Sequence, residues 1–262
     1  MPADMKGKVV IITGGASGMG RAASLEFASV GAKVAVITGH NTAGAEETVR
    51  LITEAGGEAA FFPCDVSQEA QVEAMVAAVV EHFGRVDCAF NNAGVGPDGV
   101  RIPYGPLVDL TEELWDRVMD VNLKGVFFCL KHELRQFRKQ GGGGAIVNTA
   151  SIGGLKMAPN FGAYGPSKAG VIALTQLAAR EHAAEGIRVN VICPGPTLGT
   201  QLMANTLATD PGEEQALKEH VIPMGKLGTA EDIARAAVWL CSDLSGHITG
   251  QSLSVDGGMH IM

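Results

Sequence analysis

The chain has 262 residues, of which 46% are hydrophobic and 18% are charged, so one large domain can bury an extensive core and long disordered tracts are not indicated. The formal net charge of −8 argues against general nucleic-acid binding, because that activity needs a cationic surface. The five cysteines include no CxxC pair and the seven histidines are scattered, so we expect reduced thiols, no disulfide framework and no metal site.

Short apolar runs alternate with segments of helical periodicity along the chain. The predicted strands are Lys8–Thr13, Lys33–Thr38, Ala59–Cys64, Val86–Asn91, Gly144–Ser151, Arg188–Cys193 and Gln251–Val255. The predicted helices are Arg21–Val30, Thr42–Ala55, Glu69–Phe83, Thr111–Val121, Lys168–Glu185 and Ala230–Ser242. The strands are almost continuously apolar, as is typical of parallel strands covered on both faces. The pattern predicts a single α/β domain over residues 1–262, with a doubly wound parallel sheet and helices on both faces.

The first apolar run, Val9–Thr13, is too short to be the core of a signal peptide. No later run approaches the ~18 apolar residues of a membrane-spanning helix. We therefore expect a cytoplasmic protein that does not cross a membrane.

Two segments interrupt the alternation. Val95–Asp109 is rich in glycine and proline, and Gly195–Gly228 joins a strand to the last long helix. Both follow the carboxyl end of a strand, which is where open α/β sheets bind ligands. Long excursions in compact domains are often functional lids, so we expect residues 195–228 to form a substrate loop or lid.

A glycine-rich turn connects the first predicted strand to the first predicted helix. Residues 13–20 read Thr-Gly-Gly-Ala-Ser-Gly-Met-Gly. Missing side chains let the backbone approach a pyrophosphate, and the helix N-terminus supplies free N–H groups and a partial positive charge. The spacing Gly-x3-Gly-x-Gly differs from the common Gly-x-Gly-x-x-Gly fingerprint, so taken alone it also fits a structural turn. The residues predicted to bind the cofactor here are Gly14, Ser17, Gly18, Met19 and Gly20.

Two further strand ends complete the predicted dinucleotide site. Asp65-Val66 follows the third strand, where the carboxylate could accept a hydrogen bond from an adenine amino group or could simply cap a turn. The fourth strand ends in Asn91-Asn92-Ala93-Gly94, whose amides can tie neighbouring turns together. The small residues allow a close backbone approach, so Asn92, Ala93 and Gly94 are predicted to contact the cofactor.

The end of the second strand decides between a ribose hydroxyl and a ribose phosphate. An acidic residue there favours NAD(H). The sequence instead has Thr38, His40 and Asn41, which could all donate hydrogen bonds, and it has neither an acid nor an arginine. This segment slightly favours NADP(H) and leaves NAD(H) open, with Thr38 and His40 as the predicted contacts.

The candidate acid/base group is Tyr164, four residues before Lys168. On a helix this spacing puts both side chains on one face. A free tyrosine titrates near 10, and a neighbouring ammonium favours the phenolate. Pro166 lacks an N–H and fits only the first helical turn, so a helix is predicted to begin at residues 163–165.

Two polar residues are predicted to assist Tyr164. Ser151 ends a strand, so its hydroxyl could hold a substrate oxygen at the edge of the sheet beside Tyr164. Asn122 ends a helical stretch, where its amide could orient a water linked to Lys168 or could have a purely structural role.

In this set of motifs the sequence resembles the short-chain dehydrogenase/reductase family over Lys6–Gly258. The matching pieces, in order, are the Thr13–Gly20 turn, Asp65, Asn91–Gly94, Asn122, Ser151, Tyr164, Lys168, Pro194-Gly195 and Asp256-Gly257-Gly258. The resemblance implies a Rossmann-type fold with a seven-stranded sheet and often a homotetramer. It also implies a catalytic tetrad of Asn122, Ser151, Tyr164 and Lys168.

The resemblance further implies that Tyr164 and Lys168 contact the cofactor, with Lys168 bonding the nicotinamide ribose. Pro194 and Gly195 belong to the same predicted site. A threonine after them contacts the carboxamide, and the spacing leaves Thr197 and Thr200 as alternatives.

The predicted function is hydride transfer between a nicotinamide and the carbon of a secondary alcohol or ketone. The predicted partners are a small substrate and further copies of the chain. Apolar residues suggest a pocket for a hydrophobic or cyclic substrate, with plain packing as the alternative; they are Met157, Phe161, Leu198, Leu202 and Met203. An alternative activity is carrier-linked 3-oxoacyl reduction, supported only by the basic residues of 131–139, which also fit a solvated helix end. A dinucleotide sensor without catalysis is a third possibility.

Overall fold

The computed structural model describes residues 3–210 and 212–261. Its centre is a seven-stranded sheet in the order β3-β2-β1-β4-β5-β6-β9, in which each neighbouring pair is parallel. The strands are β1 (Val9–Thr13), β2 (Lys33–Thr38), β3 (Glu58–Pro63), β4 (Cys88–Asn91), β5 (Gly144–Thr149), β6 (Ile187–Pro194) and β9 (Ser252–Val255). The predicted fold class and all seven predicted strands are confirmed.

Helices cover both faces of the sheet. They are α1 (Gly18–Ser29), α2 (Thr42–Glu54), α3 (Glu69–Phe83), α4 (Glu112–Met119), α5 (Gly125–Gln140), α6 (Tyr164–His182), α7 (Gln201–Thr209), α8 (Glu213–Ala216) and α9 (Ala230–Cys241). A short parallel pair, β7 (Thr197–Leu198) and β8 (Gly228–Thr229), lies outside the main sheet.

Successive residues of each strand enter two different cores. On β1, Val9 and Ile11 pack into the core with α3, α5 and α6, while Val10 and Ile12 pack into the core with α1 and α9. All four side chains are essentially inaccessible to solvent. Burial on both faces explains why the strand sequences are continuously apolar.

Local signals set the helix boundaries. Thr229 caps α9 in a capping box with Asp232, and the Asn41 side chain caps α2 by accepting from Gly44 N at 3.0 Å. Helix α3 ends at Gly84, whose φ of 85° is in the left-handed region that glycine adopts without strain.

The helix predicted over Thr111–Val121 is the main correction to the element order. It is shorter, and it continues through a π-helical turn at Asp120–Lys124 into α5. Asn122 therefore lies inside a continuous helical segment and is fully buried, whereas the sequence placed it at a helix end. π-Helical turns of this kind are frequent at functional sites.

The segment predicted as a loop or lid over residues 195–228 is largely helical. It contains α7, α8 and a second π-helical turn at Leu217–Val221. A small core of its own holds it together, formed by Met203, Leu217, Ile222 and Leu227. Part of the predicted apolar pocket therefore belongs to this core, because Met203 is buried in it and Leu198 packs against it.

One buried hydroxyl ties two strand ends together at the centre of the sheet. Thr13 Oγ1 accepts from Asn92 N at 2.9 Å and from Ala93 N at 3.0 Å. Thr13 itself is 1% exposed, so its hydroxyl makes both bonds away from solvent. The bond fixes the end of β4 beside the glycine turn after β1.

We predict that Thr13→Val lowers the free energy of unfolding by about 1–3 kcal/mol, because it leaves two partly buried N–H groups without their acceptor. Thr13→Ser is the matched control, since it keeps the hydroxyl and should cost about 1 kcal/mol or less. Urea denaturation followed by circular dichroism measures both. Equal stabilities for the two variants would contradict the assignment.

Candidate active site

The glycine turn forms an open cradle at the N-terminus of α1. Gly14 and Gly18 have φ angles of 70° and 52°, in the left-handed region. Ser17 is the N-cap of α1, and in the part of the chain that the structure describes its side chain makes no capping hydrogen bond. The first N–H groups of the helix are thus left for an external acceptor, which is the arrangement that binds phosphate.

The last glycine of the turn, Gly20, is required by packing. A Cβ on Gly20 would lie 2.1 Å from the Gly14 carbonyl oxygen and 2.9 Å from Asn92 Nδ2. A Cβ on Gly14 would lie 3.2 Å from the Cα of Ala93. The turn and the end of β4 therefore pack backbone to backbone. Met19 follows Gly18 in the first turn of α1 and packs against the core behind it.

The predicted adenine and ribose contacts lie together at the ends of β2 and β3. His40 Nε2 is 3.8 Å from Asp65 Oδ2, and a Cβ on Gly39 would lie 3.0 Å from the Asp65 Cα. Asp65 Oδ1 accepts from the backbone and hydroxyl of Ser67, so the carboxylate also caps the turn before α3. Thr38 ends β2, and Val66 is buried against Gly125 at the start of α5.

Tyr164 is the first residue of α6, as the position of Pro166 predicted. Its ring and the Ser151 hydroxyl both lie close to Gly153, whose ideal Cβ position is 3.7 Å from Tyr164 Cε1 and 3.4 Å from Ser151 Oγ. Burial raises the pKa of Tyr164 above its usual value, and the neighbouring Ser151 hydroxyl opposes that rise. The phenol is therefore protonated at neutral pH.

Ser151 lies two residues beyond the end of β5, at the carboxyl edge of the sheet. Its backbone is extended, and its hydroxyl accepts from Gly153 N at 3.0 Å, capping a 3-10 turn. The turn holds the hydroxyl in place between the strand and the first turn of α6.

Lys168 lies on the same face of α6 as Tyr164. Its Nζ is 5.7 Å from the centroid of the Tyr164 ring and donates to the Thr149 carbonyl oxygen at 2.9 Å. Burial lowers the pKa of the Lys168 ammonium to about 8. The side chain therefore carries a positive charge at neutral pH close to the phenol.

Asn122 contacts the same region from the other side, and its amide makes three hydrogen bonds. Oδ1 accepts from Val95 N at 2.8 Å, and Nδ2 donates to Val95 O at 2.8 Å and to Ser167 Oγ at 3.1 Å. Both amide hydrogens are used, while the second lone pair of Oδ1 is able to accept from a water. Through the three bonds Asn122 joins the strand-end loop at Val95 to the first turn of α6.

Gly94 is the point where these groups converge. A Cβ on Gly94 would lie 3.2 Å from Asn122 Oδ1 and 3.4 Å from Lys168 Nζ. A side chain at this position would therefore crowd both groups. The structure therefore brings Asn122, Ser151, Tyr164 and Lys168 together at one end of the sheet.

Aromatic rings line the space beyond Tyr164. The centroids of Tyr104 and Phe161 are 5.5 Å apart, and those of Phe161 and Tyr164 are 6.2 Å apart. A Cβ on Gly96 would lie 2.8 Å from Leu202 Cδ1 and 3.0 Å from Tyr164 Cε2, so α7 packs over this wall.

Two polar contacts hold α7 against the loop over residues 95–109. Tyr104 Oη and Thr206 Oγ1 are 3.0 Å apart, and Asn205 Nδ2 donates to Asp98 Oδ2 at 3.1 Å. Asp98 also accepts from the Arg101 side chain at 2.8 Å. Burial raises the pKa of Asp98, but hydrogen bonds from Arg101 and neighbouring backbone amides outweigh it, so the net shift is downward and the carboxylate is ionised.

The two threonine alternatives have different environments. Thr197 Oγ1 donates to the Gly195 carbonyl oxygen at 2.8 Å and is buried, while Thr200 Oγ1 donates to Thr197 O at 2.9 Å and caps α7. A Cβ on Gly18 would lie 3.6 Å from the Thr200 Cα, so Thr200 lies beside the cradle. Pro194 ends β6, and Gly195 packs against Asp256, with 2.8 Å between its ideal Cβ position and Asp256 Cβ.

Within residues 3–210 and 212–261, no cluster of three or more histidine, cysteine or acidic side chains could hold a metal ion. None of the helices described is both long and apolar enough to span a membrane. All five cysteines are free and buried.

The fold and this constellation are those of a short-chain dehydrogenase/reductase, and the chain belongs to that family of oxidoreductases. A family model described as enoyl-(acyl carrier protein) reductase matches residues 14–260. Similar proteins match over almost their full length.

A 3beta-hydroxysteroid dehydrogenase 1 from Eggerthella lenta is 42% identical, covering 98% of this chain and 95% of the relative. A 2,5-dichloro-2,5-cyclohexadiene-1,4-diol dehydrogenase from Sphingobium indicum is 38% identical, covering 97% and 98%. The crystal structure of a levodione reductase superposes with a TM-score of 0.90 at 36% identity, covering 98% of each chain.

Sequence reasoning did not find the backbone and helical partners of the site. The Thr149 carbonyl that receives Lys168 has no side-chain signal, and Val95 meets Asn122 through its backbone only. Ser167 lies inside the Tyr164–Lys168 motif, so helical periodicity could have placed it on the buried face of α6.

We predict that Lys168 titrates at about 8 in the unliganded protein, below the value of about 10.4 for a lysine in a model peptide. Nuclear magnetic resonance of side-chain-labelled lysines measures this directly. The signal should vanish in Lys168→Met and persist in the control Lys124→Met, which removes an exposed lysine. Titration of every lysine near the ordinary value would contradict the burial argument.

Proposed function

We propose that this protein is an NAD(P)(H)-dependent oxidoreductase that moves a hydride between the nicotinamide and the carbon of a secondary alcohol or ketone. Tyr164 is the proposed acid/base. The observation that carries the proposal is that Tyr164 and Ser151 both adjoin Gly153, whose ideal Cβ position is 3.7 Å from Tyr164 Cε1 and 3.4 Å from Ser151 Oγ, with Lys168 Nζ 5.7 Å from the centroid of the phenol ring. All three groups lie at the sheet edge that also carries the glycine cradle.

The chain offers a continuous surface for the dinucleotide. Its pyrophosphate would lie on Gly14, Ser17, Gly18, Met19 and Gly20; its adenosine on Thr38, His40, Asp65 and Val66; and its nicotinamide half on Asn92, Ala93, Gly94, Lys168, Pro194, Gly195 and Thr197. When bound, the nicotinamide supplies or accepts the hydride. Lys168 is the proposed donor to the nicotinamide ribose, and Thr200 beside Gly18 is an alternative contact for the carboxamide.

In the proposed mechanism, Ser151 donates a hydrogen bond to the substrate oxygen and holds it beside Tyr164. In reduction, Tyr164 gives its proton to the developing alkoxide; in oxidation, its phenolate takes the proton from the alcohol. Lys168 stabilises the phenolate through its positive charge, which offsets part of the cost of burial. Asn122 holds Val95 and Ser167, so we assign it a positioning role for the loop and helix that flank Lys168.

The substrate is proposed to be apolar and cyclic. Tyr104 and Phe161 continue the aromatic surface of Tyr164, and Leu202 closes it from α7. Offset or edge contacts with such rings favour flat or alicyclic groups. The names of the related steroid and cyclohexadiene-diol dehydrogenases agree with this choice.

The structure weakens the argument for a carrier-linked 3-oxoacyl substrate. Lys131 Nζ and His132 Nε2 both contact Glu69, and Arg138 Nε donates to Glu185 at 2.8 Å. Acidic partners therefore offset much of the basic segment that would recognise an acidic carrier. A pure sensor would have no need for Tyr164, Ser151 and a buried Lys168 in one place.

We also propose a cytoplasmic homo-oligomer, with a tetramer as the family expectation. An apolar surface lies between α5 and α6, and it exposes 44% of Phe127 and 53% of Leu177. Leu123 and Leu174 line the same groove, which encloses about 480 Å³. Such a contiguous apolar face is typical of an interface, and the five buried thiols fit a reducing compartment.

We predict that Tyr164→Phe lowers kcat for ketone reduction by about 100-fold or more, because positioned acid/base groups contribute about 10²–10⁴-fold. Binding of the dinucleotide, measured by calorimetry, should remain within a few-fold of the parent. The control is Tyr104→Phe, which removes the only other phenol hydroxyl and should cost less than about tenfold. Similar kcat values for Tyr164→Phe and the parent would rule out Tyr164 as the acid.

We predict weak discrimination between the two dinucleotides, with a slight preference for NADP(H). The end of β2 presents Thr38, His40 and Asn41, so there is neither a carboxylate to repel a 2′-phosphate nor an arginine to bind it. The ratio of kcat/KM values should be below about tenfold, which is about 1.4 kcal/mol. A ratio above about 100 in either direction would show that another group decides the choice.

A further inference from the structure

A network of hydrogen-bonded polar side chains crosses the core beneath the active site. Glu133 of α5 is fully buried and accepts from Asn91 Nδ2 through Oε2 at 2.9 Å. Asn91 Nδ2 also donates to Asn148 Oδ1 at 3.0 Å, and Asn148 Nδ2 donates to Thr175 Oγ1 at 2.9 Å. This network thus connects α5, β4, β5 and α6.

Two atoms of this network have no hydrogen-bond partner among the described residues. They are Glu133 Oε1 and Asn91 Oδ1, which are both buried and both acceptors when the carboxyl group is ionised. Reversing the Asn91 amide would not help, because Nδ2 already donates to Glu133 and to Asn148. Unpaired buried acceptors are costly, so the pairing requires a donor.

A single proton satisfies both atoms. If Oε1 carries the proton, it donates to Asn91 Oδ1 while Asn91 Nδ2 donates to Oε2, and the acid and amide form a closed pair. We propose that Glu133 is a neutral carboxylic acid in the folded protein and acts, through Asn91, as a positioning residue for the site. The catalytic part of this proposal rests on the proposed function; the protonation does not.

The electrical surroundings of Glu133 agree with a neutral acid. Burial raises the pKa of Glu133 to about 7, although the Asn91 N–H bond lowers it. The titratable groups near it include the thiols of Cys129 on α5 and Cys241 on α9; burial raises the pKa of both thiols, and Glu133 adds to that rise. None of the ion pairs found among the described residues includes Glu133. A hydrogen bond from the protonated form to Asn91 stabilises the neutral state further.

The position of the pair explains its effect on the site. Asn91 directly precedes Asn92-Ala93-Gly94, and Gly94 adjoins Lys168 Nζ. Asn148 directly precedes Thr149, whose carbonyl oxygen accepts from Lys168 Nζ at 2.9 Å. The network therefore fixes the ends of β4 and β5, which hold the Lys168 ammonium.

Glu133→Gln and Glu133→Ala form the matched pair of variants. The glutamine amide reproduces the neutral acid, because its NH₂ can donate to Asn91 Oδ1 while its carbonyl accepts from Nδ2. We expect Glu133→Gln to keep kcat within about twofold of the parent. Glu133→Ala should lower kcat about tenfold or more with little change in KM, because the strand ends lose their alignment. Equal impairment of both variants would overturn the proposal.

Two readouts do not depend on the reaction. Infrared difference spectroscopy of the parent against Glu133→Gln should show the carbonyl band of a protonated carboxylic acid at about pH 6, below the folded pKa of about 7 and above the ordinary value, and a carboxylate band in its place would overturn the proposal. The second readout is the melting temperature. The ordinary pKa of 4.5 applies to the unfolded chain and about 7 to the folded one, so folding takes up a proton between these values. The contribution of Glu133 to the free energy of unfolding is therefore largest at acid pH, and it is lost as the pH rises through about 7.

The melting temperature of the parent relative to Glu133→Gln should accordingly fall between about pH 5 and about pH 8. A constant or rising difference would show an ionised Glu133. If Tyr164→Phe were fully active while these spectroscopic and thermal results held, the proposed function would fail and the protonation would stand. If Glu133→Ala does not fold, the glutamine variant and the two readouts still decide the question.

Discussion

The hydrogen bond from the Lys168 ammonium to the Thr149 carbonyl is the constraint on which the site depends. It fastens the first turns of α6 to the end of β5, so Tyr164 and Ser151 are held close together beside Gly153. The ammonium is buried, which lowers its pKa to about 8 and leaves a positive charge next to a phenol whose own burial raises its pKa. A protonated acid beside a nearby cation is a suitable donor for a carbonyl oxygen.

The neighbouring elements maintain that geometry. Asn122 ties the loop after β4 to α6, and Thr13 ties the end of β4 to the glycine turn. The network that begins at Glu133 joins α5 to the ends of β4 and β5. Each of these contacts links elements far apart in sequence at the carboxyl edge of the sheet. Small displacements there would change the distances between the cradle, Lys168 and Tyr164 together.

Local patterns were sufficient to predict the parts of the fold and site that depend on them. Continuous apolar runs identified all seven strands of the sheet, and Pro166 correctly predicted the start of α6 at Tyr164. The helices in the segment over 195–228 were missed because glycine and proline interrupt it and its short helices rely on their own small core. The hydrogen-bond partners of the Asn122 side chain, the Val95 backbone and the Ser167 hydroxyl, were missed because they come from distant positions. Glu133 did leave a signal, since helical periodicity places it between the buried residues Cys129 and Phe137 on α5.

Direct transfer of the hydride to the substrate carbon is the central claim, and isotopic labelling tests it. The protein is incubated with a cyclic ketone and a reduced dinucleotide deuterated at the transferring position of the nicotinamide, and the alcohol is examined by mass spectrometry. The account predicts deuterium on the carbinol carbon in an amount equal to the alcohol formed. Alcohol without deuterium at that carbon, or no alcohol from a broad panel of ketones with either dinucleotide, would contradict it.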